Sequence, residues 1–145
     1  IKASFELMKA NPDGSGGSII LNSSINGMLA LAGDVTYSTT KGALRLLAKS
    51  TAVHLAKTKT SIRCNSIHPA AILTPIWEPM LGDGPDRDAK MAALVADTPL
   101  KRFGTVEEVA ATCVFLASAD SAYMTGAELT LDGGLLAGSA ASPGS

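Results

Sequence analysis

The spacing of apolar residues changes period several times along the chain, and each change predicts an element. Over residues 1–10, Ile1, Phe5 and Met8 recur at helical spacing, and the breaker run 11–17 (NPDGSGG) closes that helix. Residues 18–22 (SIILN) form a short apolar run after glycines. Its continuity predicts a strand buried on both faces, as in a parallel sheet. Residues 23–35 carry Gly27 and Gly33 and keep no period. From about residue 36 to 57 the pattern is helical, with Leu44, Leu47, Ala48, Thr51 and Leu55 on one stripe. Residues 62–68 (IRCNSIH) read as a second strand that Pro69 ends.

The stretch beyond is punctuated by Pro69, Pro75, Pro79, Pro85 and Pro99, which predicts one or two short helices among loops. Thr105 with Glu108 three residues on is a capping box, and Val109, Cys113 and Leu116 make the inner face of the helix it opens. Residues 127–131 (AELTL) alternate and read as a third strand, followed by an Asp132-Gly133-Gly134 turn and a loose, small and polar tail over 136–145. Strand, helix, strand, helix, strand is the order of a parallel α/β architecture, because parallel neighbours need crossover helices.

Composition narrows the classes. The chain has 145 residues, 46% hydrophobic and 17% charged, with a net charge of −1 from 12 basic and 13 acidic side chains. That is a single folded domain at most. The absence of a basic excess argues against nucleic-acid binding. No apolar run approaches the roughly 18 residues of a membrane span, and no basic-then-apolar start suggests a signal peptide. Cys64 and Cys113 stand 49 positions apart within apolar segments, which predicts reduced thiols, no disulfide, no metal site and a cytoplasmic setting.

In parallel α/β sheets, ligands sit at the carboxyl ends of the strands. That singles out residues 22–24 and 68–74. The long helix starts beside the first of these, and near its start Tyr37 and Lys41 stand at i and i+4, on one face. A fixed positive charge beside a phenol favours the phenolate, and such a tyrosine can exchange a proton with an alcohol or carbonyl oxygen near neutral pH. Ser24 offers a hydroxyl at a strand end that can hold the same oxygen. Taken alone, the Tyr–Lys pair is equally the ordinary surface of a solvated helix start.

Together with its surroundings the constellation is more specific. Ser24, then Tyr37 thirteen residues later, then Lys41 resembles the active-site signature of the classical short-chain dehydrogenase/reductase (SDR) family. GGSIILNSS resembles that family's strand leading to the catalytic serine, and YSTTKGALRLLAKSTAVHLA its catalytic helix. SIRCNSIHPAAILTP resembles its strand and cofactor-closing loop, and RFGTVEEVAATCVFLAS and TGAELTLDGG its last helix and strand. The resemblance covers roughly residues 1–135. It implies a Rossmann-like doubly wound parallel sheet and an NAD- or NADP-dependent enzyme interconverting a secondary alcohol and a ketone. In that reading Ser24 orients the carbonyl, Tyr37 is the acid/base, and Lys41 holds the nicotinamide ribose and favours the phenolate. Pro69, Ala70, Ile72 and Thr74 match the loop that meets the nicotinamide, with Ala70 where the family usually has glycine. Trp77 and Met80 fall in the segment that lids the substrate pocket, although core packing would equally account for them. The family also implies a homo-oligomer, dimer or tetramer, built through the outer face of residues 40–57 or the segment 100–135, with Ala43, Ala48 and Ala52 allowing close helix approach.

Two family features have no counterpart here. No glycine-rich loop follows a strand and opens a helix, since Gly14, Gly16 and Gly17 precede a strand instead. No Asn-Asn-Ala-Gly strand is present, and Asn22 and Asn26 sit in the wrong place for the family's catalytic asparagine. The resemblance therefore implies only the carboxyl-terminal half of the Rossmann-like domain. A non-catalytic fragment and a regulatory NAD-sensing module remain as alternatives. The other conspicuous residues carry plainer readings. His68 is a hydrogen-bonding structural histidine, and His54 lacks partners at metal spacing. Glu107 and Glu108 suit a helix start, Asp132 serves its turn, and Lys101 and Arg102 are surface or subunit contacts.

Overall fold

The computed structural model describes residues 1–11, 14 and 16–138. Helix α1 (Lys2–Lys9) precedes strand β1 (Gly17–Asn22). Helix α2 (Val35–Lys57) crosses over to β2 (Ile62–Pro69). Two short helices, α3 (Glu78–Leu81) and α4 (Arg87–Leu94), lead to α5 (Val106–Ala117) and then to β3 (Glu128–Leu131). The three strands form one parallel sheet in the order β1-β2-β3, with Ile19 beside Cys64 and Ile67 beside Leu129. The sequence predicts this alternation and this sheet.

The helices divide between the two faces. Ile19, Ile62 and Cys64 point to one side, where Ala48, Ala52 and Leu55 of α2 cover them and Phe5 and Met8 of α1 close the end. Two alanines on this contact let the helix axis approach the sheet. The observed inner face differs from the sequence stripe at one position: Leu47 is 44% exposed, while Ala52 is buried. Adjacent helical residues lie about 100° apart, so once Ala48 faces the sheet, Leu47 is turned towards solvent. The alanines also lose their expected role in subunit contact, because Ala48 and Ala52 are spent on the chain's own core. The outer surface of α2 instead carries exposed Leu46, Leu47 and Val53.

Helix α5 covers the opposite face. Leu116 is fully buried, with Val109 and Cys113 half-buried beside it. The capping box forms as predicted: the Thr105 hydroxyl accepts from Glu108 N, and the Glu108 carboxylate accepts from Thr105 N at 2.8 Å. Arg102 also binds that carboxylate and holds it down at about 2. At the other end the Ser18 hydroxyl donates to Leu116 O, and the Arg63 guanidinium donates to Leu116 O, Ser118 O and the Ser121 hydroxyl. A β2 side chain thus caps α5, its positive charge placed at the negative end of the helix dipole. Beyond β3, Asp132 accepts from Gly134 N and Leu136 N, and Leu135–Ala137 form a short 3₁₀ turn. The rest of the expected tail, 139–145, lies outside the described residues.

Replacing Arg63 with leucine removes the charged donor of these half-buried hydrogen bonds, although Ser18 and Ser121 still reach the same carbonyls, and a hydrogen bond to a charged group is worth about 1.5–3 kcal/mol. Urea denaturation is expected to show a loss of about 2–3 kcal/mol for Arg63→Leu, and Arg63→Lys is expected to recover only part of it, because one ammonium cannot reproduce the planar fork.

Candidate active site

At the end of β1 the chain turns sharply through Ser23 and Ser24 into a 3₁₀ turn, Ile25–Gly27. Ser24 is extended, and its hydroxyl accepts from Asn26 N at 3.1 Å and lies 3.5 Å from Pro69 O as a long donor contact. Helix α2 then begins at Asp34, whose carboxylate accepts from Tyr37 N at 2.8 Å. That cap sets Tyr37 in the first turn, 38% exposed, at the mouth of the cleft beside the strand ends. One turn on, the Lys41 ammonium stands 5.6 Å from the Tyr37 ring centroid and donates to Asn22 O at 3.1 Å.

Ser24, Tyr37 and Lys41 line a single cleft of about 430 Å³ at the carboxyl ends of β1 and β2. Pro69, Ala70, Ile72, Thr74 and Trp77 form its other wall, so these eight sequence candidates meet in one place, whereas Met80 is not among the lining residues. Among the described residues no hydrogen bond joins the Ser24 hydroxyl to the Tyr37 phenol; Ser24 is engaged within its own loop and with Pro69. Ala70 has a φ outside the left-handed region and donates its backbone N–H to Leu131 O, so alanine replaces glycine there without strain. The Thr74 hydroxyl makes no cap bond to the 3₁₀ turn Pro75–Trp77 that it opens.

Three contacts went unnoticed in the sequence. The Ser23 hydroxyl donates to Lys41 O at 2.7 Å, Asn22 O takes the Lys41 ammonium, and a Cβ on Gly27 would lie 2.7 Å from the Lys41 backbone. These tie the serine loop to the helix carrying Tyr37 and Lys41. The only sequence signal for them is the SSING run itself, which seven residues separate from the start of α2.

The remaining candidates fall into place. Trp77 is half-buried and fixed by the fold: its Nε1–H donates to Ile72 O at 2.8 Å, and its ring meets Phe103 edge-on at 5.3 Å. It therefore packs and lines the cleft at once. Met80 is largely exposed. His68 is fully buried, and its burial pushes the imidazole below its ordinary value. His54 is exposed on α2. Cys64 is buried, which pushes its thiol up, and both cysteines are free. A second cavity of about 440 Å³ lies beyond the 70–72 loop, bordered by Leu100, Arg102, Glu108 and Asp132. Its two carboxylates are already occupied, Glu108 by Arg102 and Asp132 by its own turn. Among the described residues no helix is long and apolar enough to cross a membrane.

Comparison with known proteins bears on this site. A family model described as enoyl-(acyl carrier protein) reductase matches residues 1–136. The chain is 43% identical over 122 residues to an L-rhamnose 1-dehydrogenase (NAD(P)(+)) of Sphingomonas sp. (strain SKA58), covering 84% of this chain and 46% of that protein. It is 38% identical over 127 residues to an NADP-dependent (R)-specific alcohol dehydrogenase of Lentilactobacillus kefiri, covering 86% and 47%. Among solved structures, L-sorbose reductase from Gluconobacter frateurii, determined with NADPH and L-sorbose, superposes with a TM-score of 0.76 at 35% identity, covering 83% and 47%. Levodione reductase superposes at 0.77 with 28% identity, covering 91% and 50%. The chain spans about half the length of the curated relatives it matches.

The close approach at Gly27 is a point where the site can be pried open. Gly27→Ala is expected to cost about 1–3 kcal/mol through overpacking against Lys41 and Gly42. Gly33→Ala, six residues on in open space, is expected to stay within about 0.5 kcal/mol of the parent. Paired thermal melts read the difference; equal melting temperatures would contradict the contact.

Proposed function

This chain belongs to the short-chain dehydrogenase/reductase family, and from that membership we propose that it carries the catalytic half of an NAD(P)-dependent oxidoreductase interconverting a secondary alcohol and a ketone. One observation carries the reading: Ser24, Tyr37 and Lys41 share a cleft with Pro69, Ala70, Ile72 and Thr74 at the strand ends. The names of the relatives, an alcohol dehydrogenase and a sugar dehydrogenase among them, support a C–OH group as the reacting centre.

The wall of the cleft fits a nicotinamide. Ile72 and Trp77 give it an apolar side, and the Thr74 hydroxyl, free of its own helix turn, suits a carboxamide. When bound there, the dinucleotide supplies or accepts the hydride. Ser24 holds the substrate oxygen through its hydroxyl. In the reducing direction Tyr37 gives its phenolic proton to that oxygen, forming its O–H bond, and the hydride alone accounts for the new C–H bond. The Lys41 ammonium stands 5.6 Å from the ring centroid on the same side of the cleft, placed to meet the nicotinamide ribose. In the oxidising direction Tyr37 takes the alcohol proton. Trp77 and Ile76 border the substrate side, which favours a fairly apolar alcohol or ketone.

Among the described residues no glycine-rich turn joins a strand end to a helix N-terminus, the usual seat of a dinucleotide pyrophosphate. The nicotinamide end alone therefore falls to these 145 residues, which we place as the carboxyl-terminal half of one Rossmann-like domain. The exposed Leu46, Leu47 and Val53 on α2, and Val114 on α5, support assembly into a homo-oligomer, dimer or tetramer.

Two measurements test the reading. In the complete enzyme Tyr37→Phe is expected to lower turnover about 10²–10⁴-fold while cofactor affinity holds, because one proton donor and little volume are removed; a variant keeping more than a tenth of the activity would overturn the assignment. Calorimetric titration of the 145-residue chain with NADH and NADPH is expected to give no micromolar binding. Tight binding would mean that the phosphates are held within these residues.

A further inference from the structure

His68 is one of two histidines in the chain, is fully buried, and among the described residues neither lines the cleft nor bonds an acidic side chain. Its two ring nitrogens nevertheless have defined partners. Nδ1 lies 3.2 Å from Ser24 O, and Nε2 lies 2.8 Å from the Ser66 hydroxyl. A carbonyl oxygen can only accept, so Nδ1 must carry the proton and Nε2 must be bare, which makes Ser66 the donor. The nearest acid, Glu128 on β3, is held by Arg45 at 2.8 Å and by Lys49, both on α2, so it is not the imidazole's partner. Burial keeps the ring neutral, as this arrangement requires.

The carbonyl that His68 grips is the one whose orientation fixes Ser24. Ser24 O also accepts from Gly27 N at 3.0 Å, closing the 3₁₀ turn, so both of its lone pairs are used. On the other side Ser23 N donates to Ile67 O and the Ser23 hydroxyl to Lys41 O. The serine loop is therefore pinned from two directions, by α2 and by the end of β2. From this geometry we propose that His68 is a positioning residue: a relay from the Ser66 hydroxyl through Nε2 and Nδ1–H to Ser24 O holds the peptide that aims the Ser24 hydroxyl into the cleft. The proposal rests on the reading of Ser24 as the group that orients the substrate oxygen.

The two side-chain amides separate this role from mere filling of space. An asparagine at 68 places its N–H close to where Nδ1 stands, whereas a glutamine reaches towards the position of Nε2. In the complete enzyme His68→Leu is expected to lower kcat about tenfold, the order of one lost hydrogen bond, with KM for alcohol and cofactor unchanged. His68→Asn is expected to restore most of kcat, and His68→Gln is not. Equal kcat for the asparagine and glutamine variants, or a folded leucine variant at parent kcat, overturns the proposal. Imidazole ¹⁵N spectra of the parent chain decide the matter if the leucine variant does not fold: a neutral ring protonated at Nδ1 supports the relay, and one protonated at Nε2 overturns it. The spectra need no turnover. An inactive complete enzyme whose ring is protonated at Nδ1 therefore counts against the oxidoreductase reading, whereas activity with the opposite tautomer counts against the relay.

Discussion

Strand β2 has no solvent-facing side. It is paired on both edges, by β1 and β3, and covered on its faces by α2 and α5, so residues 64–68 are buried in succession. Yet it carries Arg63, Asn65, Ser66 and His68. Each polar group left unmet there would cost about 1–3 kcal/mol, and each is met by a segment distant in sequence. Arg63 caps α5. Asn65 donates to Met124 O and accepts from Ala127 N, which docks the approach to β3. His68 reaches the serine loop, while the Ser66 hydroxyl meets His68 Nε2 and lies 3.4 Å from Ala127 O. The demand of one buried strand for partners thus fixes where the neighbouring pieces sit.

Helix α2 meets the same loop from the other side. Asp34 caps it and sets Tyr37 in its first turn, the Ser23 hydroxyl bonds Lys41 O, and Gly27 lets the loop lie against the helix backbone. Two alanines bring the helix close to the sheet. Core packing and site geometry are accordingly one problem: the contact that buries Ala48 and Ala52 is also what holds Tyr37 and Lys41 over the strand ends.

The opposite wall of the cleft is braced in a comparable way. Ile72 and Gly104 form a parallel bridge, Leu73 N donates to Gly104 O and Gly104 N to Ala71 O. Trp77 leans on Phe103 and bonds Ile72 O. Phe103 and Gly104 run directly into the Thr105 cap of α5, where Glu108 and Arg102 pair. Residues with no chemistry of their own, Glu108 and Arg102 among them, therefore stiffen the segment that forms this wall of the cleft.

Much of this was legible in the chain. Continuous apolar runs marked the buried strands, helical periods marked α1, α2 and α5, and the Thr105–Glu108 spacing announced a cap, because these signals are local and repeat within one element. That Ser24, Tyr37 and Lys41 would share one cleft was legible too, since they keep short fixed spacings around one strand end. What the sequence could not state was which side of α2 turns inward at Leu47, or why Ser23 and Gly27 matter. Nor could it say what a buried histidine at the end of β2 would hold. Those depend on contacts across 14 to 44 positions of chain, and such contacts exist only after parallel pairing and helix packing have brought β1, α2 and β2 together.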